Sequence, residues 1–273
     1  MIARSDLPGS RAVAVSAHNV QATALATTVG GSDFAVATVE HMLASLAALR
    51  IDNLIIELSG PEIPIVDGSA EPFMRALLDA GLVDQDEARK YLYVTAPIFF
   101  GDGEKHAFVS PYNGLRLTVT IDFPHPKIGR QTLDLDINEA TFAREIAPAR
   151  TFGFLRDVEA MRARGLALGG SLENAIVLDH ADVLNPGGLR YPDEFVRHKA
   201  LDALGDLVTL GRPLMGHVVL HKAGHDVMNR LAQQILRSTD SYRLVELAAG
   251  WTPAVRGGEL SAADELLRLS RGS

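Results

Sequence analysis

The sequence predicts an α+β fold, and three observations predict it. Helical and strand patterns come in clusters instead of strict β-α-β alternation. Four strand-like runs follow one another at 91–100, 105–110, 115–123 and 131–136, with Pro, Asn and Gly turns between them. Long helical patterns at 39–50 and 193–210 stand apart from that strand cluster. With 273 residues, 47% hydrophobic and 22% charged, the chain can hold one large or two medium domains around a sizeable core.

Taken in order, residues 39–50 (VEHMLASLAALR) predict a helix from the spacing of Leu43, Leu46, Ala47 and Leu49. Residues 51–58 follow as a strand around LIIEL. The stretch GPEIPIVDGSAEPF is a Pro/Gly-rich loop with too many apolar residues for a disordered linker. A helix resumes at 72–80, and Gly81 suits the position just past its end. The polar run DQDEARK at 84–90 marks the domain boundary, dividing 1–86 from 87–273. After the four strands, short helices are expected at 140–146 and within 153–164, and a strand at 175–178. The 193–210 helix, a strand at 217–222 and an amphipathic helix at 227–237 complete the order. The Ala-, Gly- and charge-rich tail after Tyr242 is expected to be loosely held.

A net charge of −8 without a Lys/Arg run argues against nucleic acid as a partner. The absence of cysteine excludes disulfides and thiolate metal sites, so any metal must be held by His, Asp or Glu. The start, MIARSDLPGSRAVAV, carries charges where a signal peptide needs an apolar core, and no stretch reaches transmembrane length. These features predict a cytoplasmic protein without stable membrane insertion.

Within the 193–210 helix, His198 and Asp202 are four residues apart, and Asp206 follows one turn later. That spacing puts an imidazole and a carboxylate on one face. Phe195, Val196, Ala200, Leu201, Leu204, Leu207 and Val208 pack the other side, and polar groups buried there need partners. Alone, the pattern reads as a salt-bridged solvated face, and Glu40-His41 reads as a surface pair. Joined by His225 in HKAGHD, the segments supply two imidazoles and a carboxylate with a fourth position left for water. This is the layout of a catalytic zinc, with a carboxylate and a histidine to spare for proton transfer. His221 lies four residues before His225, but alternation along a strand accounts for it and for His217. His18, His106, His125 and His180 are given no role.

Several ordered motifs carry a wider resemblance: TVEH (38–41), IDN (51–53), PEIPIVDGSAEPF (61–73), PYNG (111–114) and IDFPHP (121–126). ARTFGFLRD (149–157), LGGS (168–171), GLRYPDEFVRHKALDALGD (188–206) and HKAGH (221–225) continue it. From Ser5 to Gln233 the chain thus resembles the UDP-3-O-acyl-N-acetylglucosamine deacetylases of lipid A biosynthesis.

The resemblance implies two domains of similar design, each a mostly antiparallel sheet packed on two helices, in a layered β-α-α-β sandwich with the site at their interface. It implies that His41, His198 and Asp202 bind Zn²⁺, with Fe²⁺ as the alternative metal in the cell. Glu40 would be the general base, His225 the general acid, Asp206 its hydrogen-bond partner, and Thr151 would help hold the oxyanion. Amide hydrolysis needs such a set: an activated water, a base for its proton, positive charge at the oxyanion and an acid for the leaving amine.

For the sugar nucleotide the resemblance points to Lys199, Lys222 and Asp157 near phosphate or sugar oxygens. It places Lys105, Phe123 and Phe154 at the nucleotide and Phe152 near the hexose, although plain core and solvated readings exist for each. Leu155, Val158, Met161, Leu166, Gly170 and Ser171 would build the acyl passage. The implied reaction removes the N-acetyl group of UDP-3-O-(3-hydroxyacyl)-N-acetylglucosamine, giving acetate and a free amine. The implied protein is a monomer touching a membrane surface at most transiently.

Two rival readings share some of these features. Two histidines and a carboxylate also form the facial triad of mononuclear iron oxygenases, but that reading leaves Glu40 and His225 without work. A non-catalytic sugar-nucleotide-binding relative is the other. Only 37 residues precede Thr38, and the Gly-x-Gly-Leu-His-like opening hairpin of the resembled family is absent. A deficit of roughly forty residues would leave the first domain truncated, with an apolar strand edge exposed.

Overall fold

The computed structural model describes residues 1–162, 169–247 and 267–269. Short strands open the chain: β1 (Ile2–Arg4), β2 (Val20–Ala22), β3 (Thr28–Gly30) and β4 (Ala35–Val36). α1 (Glu40–Ala48), β5 (Ile56–Leu58) and α2 (Glu71–Ala80) follow. β2, β3 and β4 form an antiparallel sheet, whereas β1 and β5 pair in parallel with Ile2 opposite Ile56. The first sheet region is thus mostly antiparallel, as expected, with β1–β5 as its parallel pair. None of its strands exceeds three residues, too few for a period of two to register. The expected strand at 51–58 shrinks to β5, because the Ile51 amide turns back to the Leu46 carbonyl to close α1. Ile2, Val29, Val36, Val39, Leu43 and Ile63 are buried together between these strands and α1.

Beyond the polar run come β6 (Lys90–Val94), β7 (Ile98–Asp102), β8 (Lys105–Ser110), β9 (Leu115–Phe123) and β10 (Gly129–Asp136). The run expected as one strand at 91–100 is two, broken before Pro97, which has no amide to donate. The Thr95 and Ala96 amides bond instead to the Ser241 carbonyl. α3 (Glu139–Thr141) starts at Asn138, whose side chain accepts from the Thr141 amide at 2.9 Å, and passes into a π-helical turn at Phe142–Ile146. Then come β11 (Phe152–Phe154), α4 (Leu155–Arg162), β12 (Ile176–Leu178), α5 (Glu194–Leu207), β13 (Leu214–His221) and α6 (His225–Arg237). β14 (Tyr242–Leu247) and β15 (Leu267–Leu269) end the order. β14 pairs antiparallel with β6 over Tyr242–Glu246, so the start of the tail is a sheet strand and not a loose end.

The large sheet runs β10-β9-β13-β6-β14-β15, with β8 on β13 and β7 on β8. β13 joins its parts because it pairs with β9 in parallel, with β8 antiparallel and with β6 through Leu214 and Met215. Leu117, Val119 and Ile121 of β9, with Val218 and Leu220 of β13, are buried on its helix-facing side. α5 covers β9 and β10, α6 covers β7 and β8, and α1 packs on α5. The layering is thus sheet, helices, helices, sheets, an α+β arrangement as expected. α1 and α5 lie in the middle and are buried on nearly all sides, as interior helices must be apolar all round unless their polar groups find partners. Among the described residues no helix is long and apolar enough to cross a membrane.

Candidate metal centre and its acid–base partners

The contact of α1 with α5 builds the site. Gly205 faces the backbone of Glu40, and a Cβ there would fall inside the Glu40 main chain, so only glycine allows this approach. It brings Glu40 and His41, in the first turn of α1, against His198 and Asp202 in the middle of α5. His41, His198 and Asp202 are all buried, and their donor atoms lie within 4.8 Å of one another. Asp202 Oδ1 is 3.3 Å from His198 Nε2 and 3.6 Å from His41 Nε2. Ligands about 2.0–2.1 Å from a tetrahedral ion are separated by roughly 3.3 Å, so the spacing fits a shared cation. The His198 Nδ1–H donates to the Ala149 carbonyl at 3.0 Å, which fixes the tautomer and leaves Nε2 as the donor to a metal. His41 Nδ1 is buried and has no hydrogen-bond partner among the described residues. The three side chains fit a divalent cation in number, kind and placement.

Charge distribution agrees with ligand duty. Burial pushes the His198 imidazole down to about 4, so it is neutral at neutral pH with its lone pair available. Burial works to raise the Asp202 carboxyl, but His198 and Lys199 outweigh it and hold it well below the usual carboxylate range. Lys199 Nζ donates to Asp202 Oδ2 at 2.6 Å, opposite the oxygen that faces the imidazoles. Lys199, expected near phosphate or sugar oxygens, has its ammonium on the Asp202 carboxylate.

The groups expected to transfer protons, Glu40 and His225, lie alongside. Burial raises the Glu40 carboxyl above its ordinary value. Glu40 Oε1 faces His225 Nε2 at 4.0 Å, and Oε2 accepts from the Thr27 amide at 3.0 Å. His225 is the first residue of α6, brought in by the turn through Lys222, whose φ is +51°. Its Nδ1–H donates to Asp206 Oδ2 at 2.8 Å. Burial acts to lower this imidazole, but the Asp206 charge and hydrogen bond overcome it and raise it to about 9. Glu40, Asp202 and His225 also form a second set of converging donor atoms, with Asp202 common to both.

The remaining expected residues divide into two groups. Thr151 lies two residues beyond Ala149, its amide bonded to the Gly68 carbonyl, in the segment that seats His198. Phe152 stands edge-on to His198 with ring centres 6.3 Å apart, and packs on Phe195 and Phe123. Phe154 continues this cluster toward Phe123 and His125. Lys222 pairs with Asp122 at 3.1 Å. Lys105 sits exposed at the β7–β8 turn, and Asp157 is exposed beside Arg156. No contact of either with the metal-ligand cluster is seen among the described residues. In the acyl segment, Leu155 is 41% exposed, Val158 half-buried, Gly170 half-buried and Ser171 exposed. The Ser171 amide bonds Asn174 Oδ1 and closes a turn. Met161 is on α4, its side chain outside the described residues, and Leu166 lies outside them altogether. A cavity of about 320 Å³ opens elsewhere, beside Leu43, Ala47, Ile51, Leu204 and Leu207, and none of the expected site residues lines it.

Sequence reasoning missed Thr27, whose hydroxyl donates to Asp206 Oδ1 at 2.5 Å. It also missed the buried Arg150–Glu194 pair, in which Glu194 accepts from the Arg150 amide and guanidinium. ALATTVG has no periodicity or spacing that sets Thr27 apart, whereas Arg150 lies inside the quoted ARTFGF motif.

A family model described as UDP-3-O-acyl N-acetylglycosamine deacetylase matches residues 1–237. A Bdellovibrio bacteriovorus protein named UDP-3-O-acyl-N-acetylglucosamine deacetylase is 66% identical over 253 residues, 93% of this chain and 84% of that protein. Proteins of the same name are 48% identical in Myxococcus xanthus, over 89% of this chain and 77% of theirs, and 49% identical in Syntrophotalea carbinolica, over 87% and 78%.

Proposed function

Because the chain belongs to the UDP-3-O-acyl N-acetylglycosamine deacetylase family, we propose a complete reading of its site. The chain is a metal-dependent deacetylase that removes the N-acetyl group of UDP-3-O-(3-hydroxyacyl)-N-acetylglucosamine, a step of lipid A biosynthesis. The observation that carries this reading is the convergence of His41, His198 and Asp202 within 4.8 Å, next to a hydrogen-bonded His225–Asp206 pair and the buried carboxyl of Glu40. Helix-borne ligands with an acid and a base at hand suit amide hydrolysis better than an iron oxygenase, which would leave both proton-transfer groups idle.

His41, His198 and Asp202 would hold Zn²⁺, with Fe²⁺ as the alternative. The ion, when bound, supplies Lewis acidity for the acetamide carbonyl and for water. Glu40 takes the proton of the attacking water, a task matched by a carboxyl whose burial raises its proton affinity. His225 enters the reaction as imidazolium, stabilises the oxyanion and gives its Nε2 proton to the leaving amine. Asp206, on the far ring nitrogen, keeps that charge and orientation. Thr151 assists at the oxyanion.

Phe152, Phe154 and Phe123 form an aromatic wall for the sugar nucleotide, with Lys222 at its edge. Lys199 and Lys222, with Asp157 assisting, serve phosphate or sugar oxygens, and Lys105 serves the nucleotide. The segment from Leu155 to Ser171 guides the acyl chain. We assign 1–86 and 87–273 as the two domains, with the enzyme acting as a cytoplasmic monomer that touches a membrane surface at most transiently. The test is acetate release from the acylated sugar nucleotide by metal-reconstituted protein. Turnover that rises with bound metal to one equivalent is expected, and no acetate at full loading overturns the reading.

A further inference from the structure

Thr27 turns its amide and its hydroxyl toward Glu40, Asp206 and His225. It is 2% exposed and stands at the end of the loop before β3. Its amide donates to Glu40 Oε2 at 3.0 Å, and its hydroxyl donates to Asp206 Oδ1 at 2.5 Å. The same hydroxyl oxygen is 3.3 Å from His225 Nδ1. Its carbonyl accepts from the Val39 amide at 3.3 Å, immediately before Glu40 on α1. One loop residue thus touches the groups assigned as base, acid and acid partner, which come from α1, α6 and α5.

We propose that Thr27 is a positioning residue that sets the base and the acid relative to each other. The inference rests on the deacetylase reading above. The amide bond fixes Oε2 of Glu40 and leaves Oε1 as the oxygen facing His225 across 4.0 Å. The hydroxyl fixes Oδ1 of Asp206, so that Oδ2 is held in line with the His225 Nδ1–H. Without that hydroxyl the Asp206 carboxylate keeps one anchor in place of two and can turn about its Cβ–Cγ bond. The imidazole it orients then leaves its line of attack, and small misplacements of a proton donor are expensive in rate. Groups that orient a catalytic residue from behind typically contribute ~10–100-fold.

The test compares Thr27→Val, which is nearly isosteric and lacks only the hydroxyl, with Thr27→Ser, which keeps it. In the metal-loaded enzyme Thr27→Val is expected to lower kcat by ~10–100-fold with KM and bound metal unchanged, and Thr27→Ser to restore most of the rate. Thr27→Ala serves if the valine crowds the site. The second readout needs no turnover: the ring Nδ1–H proton of His225 in NMR, identified by its loss in His225→Gln. It is expected in the native and Ser proteins and shifted or lost to exchange in the Val protein. A Val variant with native kcat and an unmoved proton signal overturns the proposal. So does a Ser variant as slow as Val, or loss of the fold in both Val and Ala. Absence of acetate from the native enzyme overturns the deacetylase reading itself, while the NMR comparison still decides the role of Thr27.

Discussion

Gly205 on α5 sits against Glu40 on α1, where a Cβ would lie 2.8 Å from the Glu40 Cα and closer still to its carbonyl oxygen. His198 and Asp202 of one helix and Glu40 and His41 of the other meet only because this position has no side chain. Gly205→Ala is expected to force the helices apart, at about 1–3 kcal/mol of overpacking. The strain falls on the line joining His41 to Asp202, so metal affinity should drop as well as melting temperature. Calorimetry with a metal titration checks both, and native values for the two would show that the helices yield without moving the site.

Ligand and base separate cleanly by substitution. His198→Ala removes one of three protein donors, and its bound metal after dialysis is expected to fall sharply. Glu40→Ala leaves the donors intact and is expected to keep its metal while losing ~10²–10⁴-fold in turnover. Metal analysis alongside acetate release distinguishes them. Stoichiometric metal in His198→Ala, or lost metal in Glu40→Ala, would exchange the two roles.

The parts of this arrangement that were legible in the sequence are those with a period or a motif. His198 and Asp202 share a helix face by spacing alone, and the strands from β8 to β10 show in their alternation. Glu40-His41 and His225 entered only as members of a joint set, and their separate roles came from the resemblance, since a dipeptide and a lone histidine carry no distance information. β1 to β4 were invisible because strands of two or three residues hold too few side chains to alternate. Thr27 was invisible for a different reason. Its partners Asp206 and His225 are 179 and 198 residues away, and threonine in a loop has many other uses. Gly205 was visible as a residue but not as a requirement, because the Glu40 backbone that excludes a Cβ arrives from another helix.

The pH profile should report the His225–Asp206 pair. His225 is raised to about 9 chiefly because Asp206 outweighs burial, so the imidazolium form dominates at neutral pH. Its contribution to stability in metal-free protein is full below its unfolded value near 6.5 and is lost as pH rises through about 9. Turnover that needs the same proton falls on that alkaline side, and a bound divalent cation moves the limb lower through repulsion. Asp206→Asn removes the main raising interaction, so the alkaline limb of kcat is expected to shift to lower pH and the alkaline loss of apo stability to flatten. An unmoved limb would mean that the two side chains are not coupled.

A buried ion pair, Arg150 with Glu194, lies next to the Ala149 carbonyl that holds His198. Glu194 is fully buried at the start of α5 and accepts from the Arg150 amide, from Nε at 2.9 Å and from Nη2 at 3.1 Å, while the Arg190 amide donates to its second oxygen. Arg150 lies between Ala149, whose carbonyl holds His198, and Thr151. The pair therefore ties the segment that fixes the His198 tautomer to the helix that carries His198. Glu194→Ala strands a buried guanidinium and two amides, a loss expected at about 3–5 kcal/mol. Arg150→Met with Glu194→Leu removes both charges and should recover part of that loss, though not all, because the Arg150 and Arg190 amides still lack an acceptor. Metal affinity is expected to fall in the single variant and to return only partly in the double one. Denaturant unfolding and metal titration of the three proteins check this, and a single variant as stable as the native chain would show that α5 does not depend on the pair for its position.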